Sequence, residues 1–143
     1  MKYILLLFMI LCSSTYAQTK KGVIYDATIV RVTDGDTVVF QANFLPLPLK
    51  PELSLRIYGI DTPERGTLAK CNDEKQLGQN ASNYTRQIIK SAKTVKIMLI
   101  EWDKYGGRVL GDVFVDGKSV RELLIENKFP RPYFGGRKPN WCS

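Results

Sequence analysis

Three short segments hold the residues able to do chemistry: Val32-Thr33-Asp34-Gly35-Asp36-Thr37, Arg56-Ile57-Tyr58-Gly59-Ile60-Asp61-Thr62-Pro63-Glu64, and Asp103-Lys104-Tyr105-Gly106-Gly107-Arg108. They supply acids, two arginines and a lysine, each group beside a strand-like run. Carboxylates can hold a divalent cation, a further acid can activate water, and guanidinium groups can neutralise a phosphate that is gaining charge. Metal-assisted cleavage of a phosphodiester needs that combination. Taken singly, the segments have plainer explanations. Asp and Gly are ordinary turn residues, so Asp34-Gly35-Asp36-Thr37 alone describes a hairpin more often than a metal site. Pro63 stiffens the turn after Asp61 and presents Glu64 from a rigid loop, but a turn with solvated acids would look the same. Turns alone do not explain the segments occurring together, with Arg56 just ahead of Asp61.

Composition removes other chemistries. The 143-residue chain has no histidine and three cysteines, which excludes a Cys–His catalytic pair and makes a zinc site implausible. A formal charge of +7 suits a polyanionic partner, although solubility alone also accounts for it.

The elements that must position these residues follow from periodicity. Tyr25 to Val32 is rich in β-branched residues and leads into the Asp34 turn. Val38, Phe40, Ala42 and Phe44 alternate along a second strand, and Pro46, Pro48 and Pro51 mark a loop. Leu53, Leu55 and Ile57 alternate with Ser54, Arg56 and Tyr58 in a third, which places Arg56 on the face opposite the apolar one. From Asp73 to Lys93 the period changes. Leu77, Ala81, Tyr84, Ile88 and Ala92 recur at helical spacing, with Asn72 or Asp73 as cap and Gly78 as a minor cost. Two further strands are expected at Thr94–Glu101 and Arg108–Val115, then a short helix capped by Ser119. Residues 130–143 read as an irregular basic tail. The order fits a five-stranded OB-type barrel with one longer helix between strands three and four and a short helix after strand five; a plain α+β sandwich is the alternative.

Lys2, the apolar run Ile4–Leu11 and the small residues ahead of a cleavage point after Ala17 read as a secretory signal peptide over residues 1–17. The run is too short to span a bilayer comfortably, so residues 18–143 are expected as a single exported domain, periplasmic or extracellular, without stable membrane association. Cys12 leaves with the leader. Cys71 and Cys142 remain, an even pair that export would oxidise to one disulfide, worth about 4 kcal/mol for a loop of that size.

Taken together, Asp34-Gly35-Asp36-Thr37, Arg56 with Gly59-Ile60-Asp61-Thr62-Pro63-Glu64, and Asp103-Lys104-Tyr105-Gly106 followed by Arg108 resemble the staphylococcal nuclease (thermonuclease) family, over residues 22 to about 130. The resemblance implies an OB fold and a secreted, calcium-dependent nuclease that cuts DNA and RNA and leaves 3′-phosphates. It implies Asp36 and Asp61 as carboxylate ligands of calcium and Thr62 as a ligand through its backbone carbonyl, an oxygen set that calcium prefers. It implies Glu64 as the general base, or as the acid that orients the attacking water. Arg56 and Arg108 grip the scissile phosphate, and Lys104 and Tyr105 contact a neighbouring one. Asp103 then orders its loop and Asp34 supports the ligands or caps the turn.

The chain departs from the family pattern in three places. The usual Tyr-Gly-Arg reads Tyr105-Gly106-Gly107-Arg108, and a one-residue shift in a strand reverses facing unless a glycine bulge absorbs it; the bulge is the expectation. Trp141-Cys142 stands where longer members add a third helix. Tyr133 and Phe134 fall near the family's base-stacking position, with packing inside the tail an equal alternative. Arg131, Arg137 and Lys138 could track a phosphate backbone or simply face solvent. Two other functions stay open at this stage: a non-catalytic OB module that binds nucleic acid, and a structural secreted domain. The active form is expected to be a monomer.

Overall fold

The computed structural model describes residues 20–46 and 52–143. The leader and most of the proline loop lie outside the described residues. The first β-branched run divides at Ala27 into β1 (Val23–Asp26) and β2 (Thr28–Asp34). The halves take different partners. β2 pairs with β3 (Thr37–Gln41), whereas β1 pairs with β6 (Val95–Trp102). The Ala27 N–H donates to the Val95 carbonyl at 3.2 Å, at the point of divergence. β3 pairs with β4 (Glu52–Ile57), and β4 runs parallel to β7 (Arg108–Val115). β8 (Lys118–Ser119) adds to β7, and a separate two-stranded sheet joins β5 (Gly59–Asp61) to β9 (Arg131–Tyr133).

The main sheet is therefore mixed, seven-stranded, and ordered β1-β6-β7-β4-β3-β2 with β8 to the side. This differs from the expected closed barrel of five strands. No ladder joins β1 to β2, so the sheet is not closed by pairing, although its two ends are consecutive in the chain. The larger count arises where Ala27 splits one run and where the turn at Asp116–Gly117 lets β8 fold back on β7. The tail also departs from expectation. Arg131–Tyr133 is a strand, because it pairs antiparallel with the edge of β5 and satisfies backbone groups there.

The inward alternation is as expected. Val38, Phe40, Leu55, Ile57, Ile97 and Val113 form the core with Val120 and Leu124 of α2 (Val120–Glu126). Each such side chain contributes about 1.5–3 kcal/mol by leaving water. The long helix α1 (Asn72–Ser91) buries Ala81 and packs Tyr84, Ile88 and Ile89 against this core, while Leu77, expected on the apolar stripe, is exposed. Its N-cap is Cys71, whose sulfur accepts from the Glu74 N–H at 3.4 Å, rather than Asn72 or Asp73. Ser119 caps α2 by accepting from the Glu122 N–H at 3.1 Å. Among the described residues no helix is long and apolar enough to cross a membrane.

Candidate active site

The turn between β2 and β3 is clamped from two sides. The Ile57 N–H donates to the Asp36 carbonyl at 2.8 Å, and the Thr85 hydroxyl of α1 donates to the Gly35 carbonyl at 2.7 Å. Gly35 is required by packing, because a Cβ there would lie 2.7 Å from the Ala81 methyl. Asp36 is consequently buried, with its carboxylate accepting from the Thr62 N–H at 2.9 Å and from the Thr37 hydroxyl at 2.9 Å. Burial pushes the Asp36 acid above its ordinary range. The Arg56 guanidinium and the Thr62 N–H oppose that rise, and the Asp61 charge adds to it.

Asp61, at the end of β5, is buried beside Asp36. Arg56 NH2 donates to Asp61 Oδ1 at 2.8 Å and lies 3.7 Å from Asp36 Oδ2, so one guanidinium serves two acids. The Thr62 hydroxyl, equally buried, has no hydrogen-bond partner among the described residues. Two buried carboxylates and an unpartnered hydroxyl form an oxygen-only donor set with more negative charge than Arg56 alone offsets. Such a set fits a hard divalent cation.

Glu64 reaches the same place from a loop that α1 supports. The buried Glu74 carboxylate accepts from the Glu64 N–H at 3.4 Å and from the Lys70 N–H at 2.7 Å. Gly78 lets the helix lie directly on this loop: a Cβ there would fall 2.2 Å from the Glu64 carbonyl oxygen. Arg65 ties the loop back to the turn, donating to the Thr33 carbonyl at 2.6 Å and pairing with Asp34 at 3.5 Å. The Glu64 carboxylate meets Lys138, whose ammonium lies 2.6 Å from Glu64 Oε1 and 3.4 Å from Asp61 Oδ1.

Arg108 arrives by strand register. The parallel ladder pairs Ser54 with Arg108 and Arg56 with Leu110. Leu55, Ile57, Val109 and Val113 point to the buried face, so Arg56 and Arg108 share the opposite one. The extra glycine does not turn Arg108 away. Gly106 and Gly107 both take left-handed conformations, with φ of 71° and 75°, inside the loop. In the antiparallel ladder of β7 with β6 the register shift falls on β6, between Leu99 and Glu101. The extra glycine is thus taken up in the loop ahead of β7 and not as the expected bulge within the strand. Asp103 holds the result in place: its carboxylate pairs with Arg108 Nε, its N–H donates to the Arg108 carbonyl at 3.0 Å, and its carbonyl accepts from the Gly106 N–H at 2.8 Å. Burial works against the Asp103 charge, but the Arg108 contact outweighs it and holds the acid below the usual carboxylate range.

Arg56, Arg108, Lys104, Tyr105, Tyr133 and Phe134 line one cleft of about 320 Å³. Lys104 and Tyr105 stand on its rim, with the lysine ammonium 4.9 Å from the tyrosine ring. Tyr133 lies over the Arg56 guanidinium at 5.0 Å, and Phe134 meets Tyr58 edge-on at 5.6 Å. Arg56 also pairs with Asp36 and Asp61, so it is the residue common to the cleft and the acids, and Lys138 bridges Asp61 to Glu64. A larger cavity, about 500 Å³ between β7 and α2, holds none of the residues expected to be catalytic, metal-binding or phosphate-binding. Its buried acid, Asp112, is engaged by the Ser119 hydroxyl and by the Val113 and Arg121 N–H groups.

Residues 54–139 match the model of the staphylococcal nuclease homologue family. The chain belongs to this family. Two curated relatives from Bacillus subtilis (strain 168) are similar to it: the SPbeta prophage-derived endonuclease YokF, 33% identical over 113 residues, and the endonuclease YncB, 31% identical over 111 residues. Each alignment covers 74% of this chain, but only 33% of the first relative and 47% of the second. In this staphylococcal nuclease homologue the matched stretch carries Arg56, Asp61, Thr62, Glu64 and Arg108, and Asp36 precedes it. Sequence reasoning missed Glu74 and Gly78 as supports of the site, and it did not bring Lys138, read as a phosphate-tracking or solvent-facing cation, or Trp141 to the acids. Glu74 resembles an ordinary acid in a helix's first turn, and Gly78 an ordinary cost inside a helix.

Proposed function

We propose that this chain is a calcium-dependent nuclease that hydrolyses phosphodiester bonds of DNA and RNA and leaves 3′-phosphates. One observation carries the reading: Asp36 and Asp61 both pair with Arg56, Glu64 is joined to Asp61 through Lys138, and Arg56 shares a sheet face and a cleft with Arg108. Support comes also from the two relatives named endonucleases. We read the curled sheet, whose ends are consecutive strands, as an OB-type barrel.

Asp36, Asp61 and the Thr62 carbonyl would hold the calcium. Bound there, it would supply charge compensation to a phosphate oxygen. Glu64 takes a proton from the water that attacks phosphorus. The bond to the 5′ oxygen breaks, and that oxygen leaves with its electron pair and is protonated. Arg56 and Arg108 meet the charge that builds on the equatorial oxygens. Lys104 and Tyr105, on the rim, engage the next phosphate. The pinned Asp103 keeps Arg108 aimed without a rotamer search. Export to periplasm or medium, where Cys71 and Cys142 oxidise, and action as a monomer complete the proposal.

Turnover of heat-denatured DNA, with calcium and with chelator, tests it. Chelation abolishes cleavage, and Glu64→Gln lowers the rate by about 10²- to 10⁴-fold with the fold intact. Chelator-insensitive, salt-sensitive DNA affinity without cleavage would instead identify a binding module.

A further inference from the structure

After β9 the chain returns across the acids and closes on them from outside. Lys138 places its ammonium between Glu64 and Asp61, at 2.6 and 3.4 Å. Trp141 Nε1 donates to Asp61 Oδ2 at 3.2 Å. The Arg131 guanidinium lies 4.2 Å over the Trp141 ring and donates to the Asn140 carbonyl at 2.6 Å, which fixes the bend that brings both residues inward. The Cys142 sulfur is at disulfide distance, 2.08 Å, from that of Cys71 at the start of α1. Ser143 donates to Asp73 at 3.3 Å.

The consequence for Asp61 is specific. Its Oδ1 is taken by Arg56 and Lys138, and its Oδ2 by Trp141. Glu64 Oε1 is taken by Lys138. An ammonium between two carboxylates is a cation in a cation's place. A carboxylate oxygen can accept a donor and still ligate a metal, so the obstacle is the Lys138 charge, which a divalent cation arriving at Asp61 must face or displace. The Lys138 side chain is 44% exposed, so it can withdraw into water without leaving a buried charge behind.

We propose that residues 138–142 form a tethered strap that competes with the divalent cation for Asp61 and Glu64, with the Cys71–Cys142 bond holding the competitor at high local concentration. The inference rests on the calcium reading of the acids and adds a control on it. The tether makes the competition intramolecular, where effective concentrations reach about the millimolar range, so cation loading shifts to higher free cation in the oxidised protein than in the reduced one. A strap lifted by the cation leaves the Lys138 ammonium to face an incoming phosphate.

Calcium binding to the full oxidised chain, measured by titration calorimetry in the absence of nucleic acid, tests the strap. Lys138→Met keeps the side-chain length and the disulfide, and it is expected to tighten calcium binding by about threefold, the scale of a half-exposed charge contact. Reduction, or the paired change Cys71→Ser with Cys142→Ser, is expected to tighten it by a similar factor. Lys138→Met in the reduced protein is expected to add little, because both changes remove the same competitor. Far-UV circular dichroism checks the fold of each protein. Equal calcium affinity in wild type and Lys138→Met overturns the strap. So does a loss of cleavage in Lys138→Met at unchanged calcium affinity, which would make Lys138 a substrate contact. Tighter binding in Lys138→Met without any effect of disulfide removal overturns the tethered form. No calcium binding by any of the proteins would refute the underlying reading as well.

Discussion

Replacing Gly78 by alanine sets two physical effects against each other. Gly78 lies inside the 20-residue helix α1, where alanine is intrinsically preferred by about 1 kcal/mol. From propensity alone, Gly78→Ala stabilises the protein. The structure gives the opposite sign. The added Cβ would fall 2.2 Å from the Glu64 carbonyl oxygen, 2.5 Å from the Glu64 carbonyl carbon and 2.7 Å from the Pro63 carbonyl oxygen. All three are backbone atoms, so no side-chain rotation relieves the contact. Restoring an ordinary 3.4 Å separation requires helix and loop to part by about 1.2 Å. The helix is fixed by the Thr85–Gly35 hydrogen bond and by Ala81 in the core, so the Glu64 loop moves. Overpacking of this kind costs about 1–3 kcal/mol of stability, which exceeds the propensity gain. A general base displaced by about 1 Å loses about a hundredfold in rate, or about 2.7 kcal/mol of transition-state stabilisation. The assay is kcat/KM on single-stranded DNA with calcium, alongside a thermal melt, with Gln87→Ala on the exposed side of the same helix as control. A Gly78→Ala protein that melts higher than wild type and cleaves at the wild-type rate would refute the packing argument.

Asp103→Asn removes the charge that aligns Arg108, so kcat/KM is expected to fall by about tenfold or more while calcium affinity, measured by calorimetry, stays unchanged. Burial pushes the Asp112 carboxyl up to about 6, against hydrogen bonds from Ser119, Val113 and Arg121; a carboxyl-detected NMR titration with its midpoint near 4 would contradict that environment. Because the folded value is the higher one, this group stabilises the fold most below about pH 4. That contribution, about 3 kcal/mol, is lost as pH rises through about 6, and Asp112→Asn flattens this part of the stability profile in urea titrations. Reducing the Cys71–Cys142 bond lowers unfolding stability by about 4 kcal/mol in the same titrations; a change under 1 kcal/mol would show that the tail adds no constraint on the unfolded chain.

Much of this protein is legible residue by residue. The alternation of Leu53, Leu55 and Ile57 with Ser54 and Arg56 determined which way Arg56 points, because a strand offers only two faces. The helical spacing of Ala81, Tyr84 and Ile88 located α1 to within two residues at either end, and Ser119 capped α2 as expected. The acids and arginines were recognisable because the chemistry restricts residue type and the turns restrict spacing.

Tertiary structure decided the rest. The face of Arg108 could not be read from Tyr105-Gly106-Gly107-Arg108, since two left-handed glycines can re-aim a strand either way; the ladder to β4 settled it. Ala27 is an unremarkable residue in a β-branched run, yet the sheet divides there because each half finds a different neighbour. Gly78 looked like a flaw in a helix until Glu64 was seen lying against it. Trp141 reaches Asp61 across 80 residues of sequence, and Lys138 beside it reaches the same acid, from a tail with no periodicity to announce its path. Local patterns are written by backbone geometry acting over a few residues. Contacts between distant segments depend on register and closure, which only the assembled sheet and helices supply.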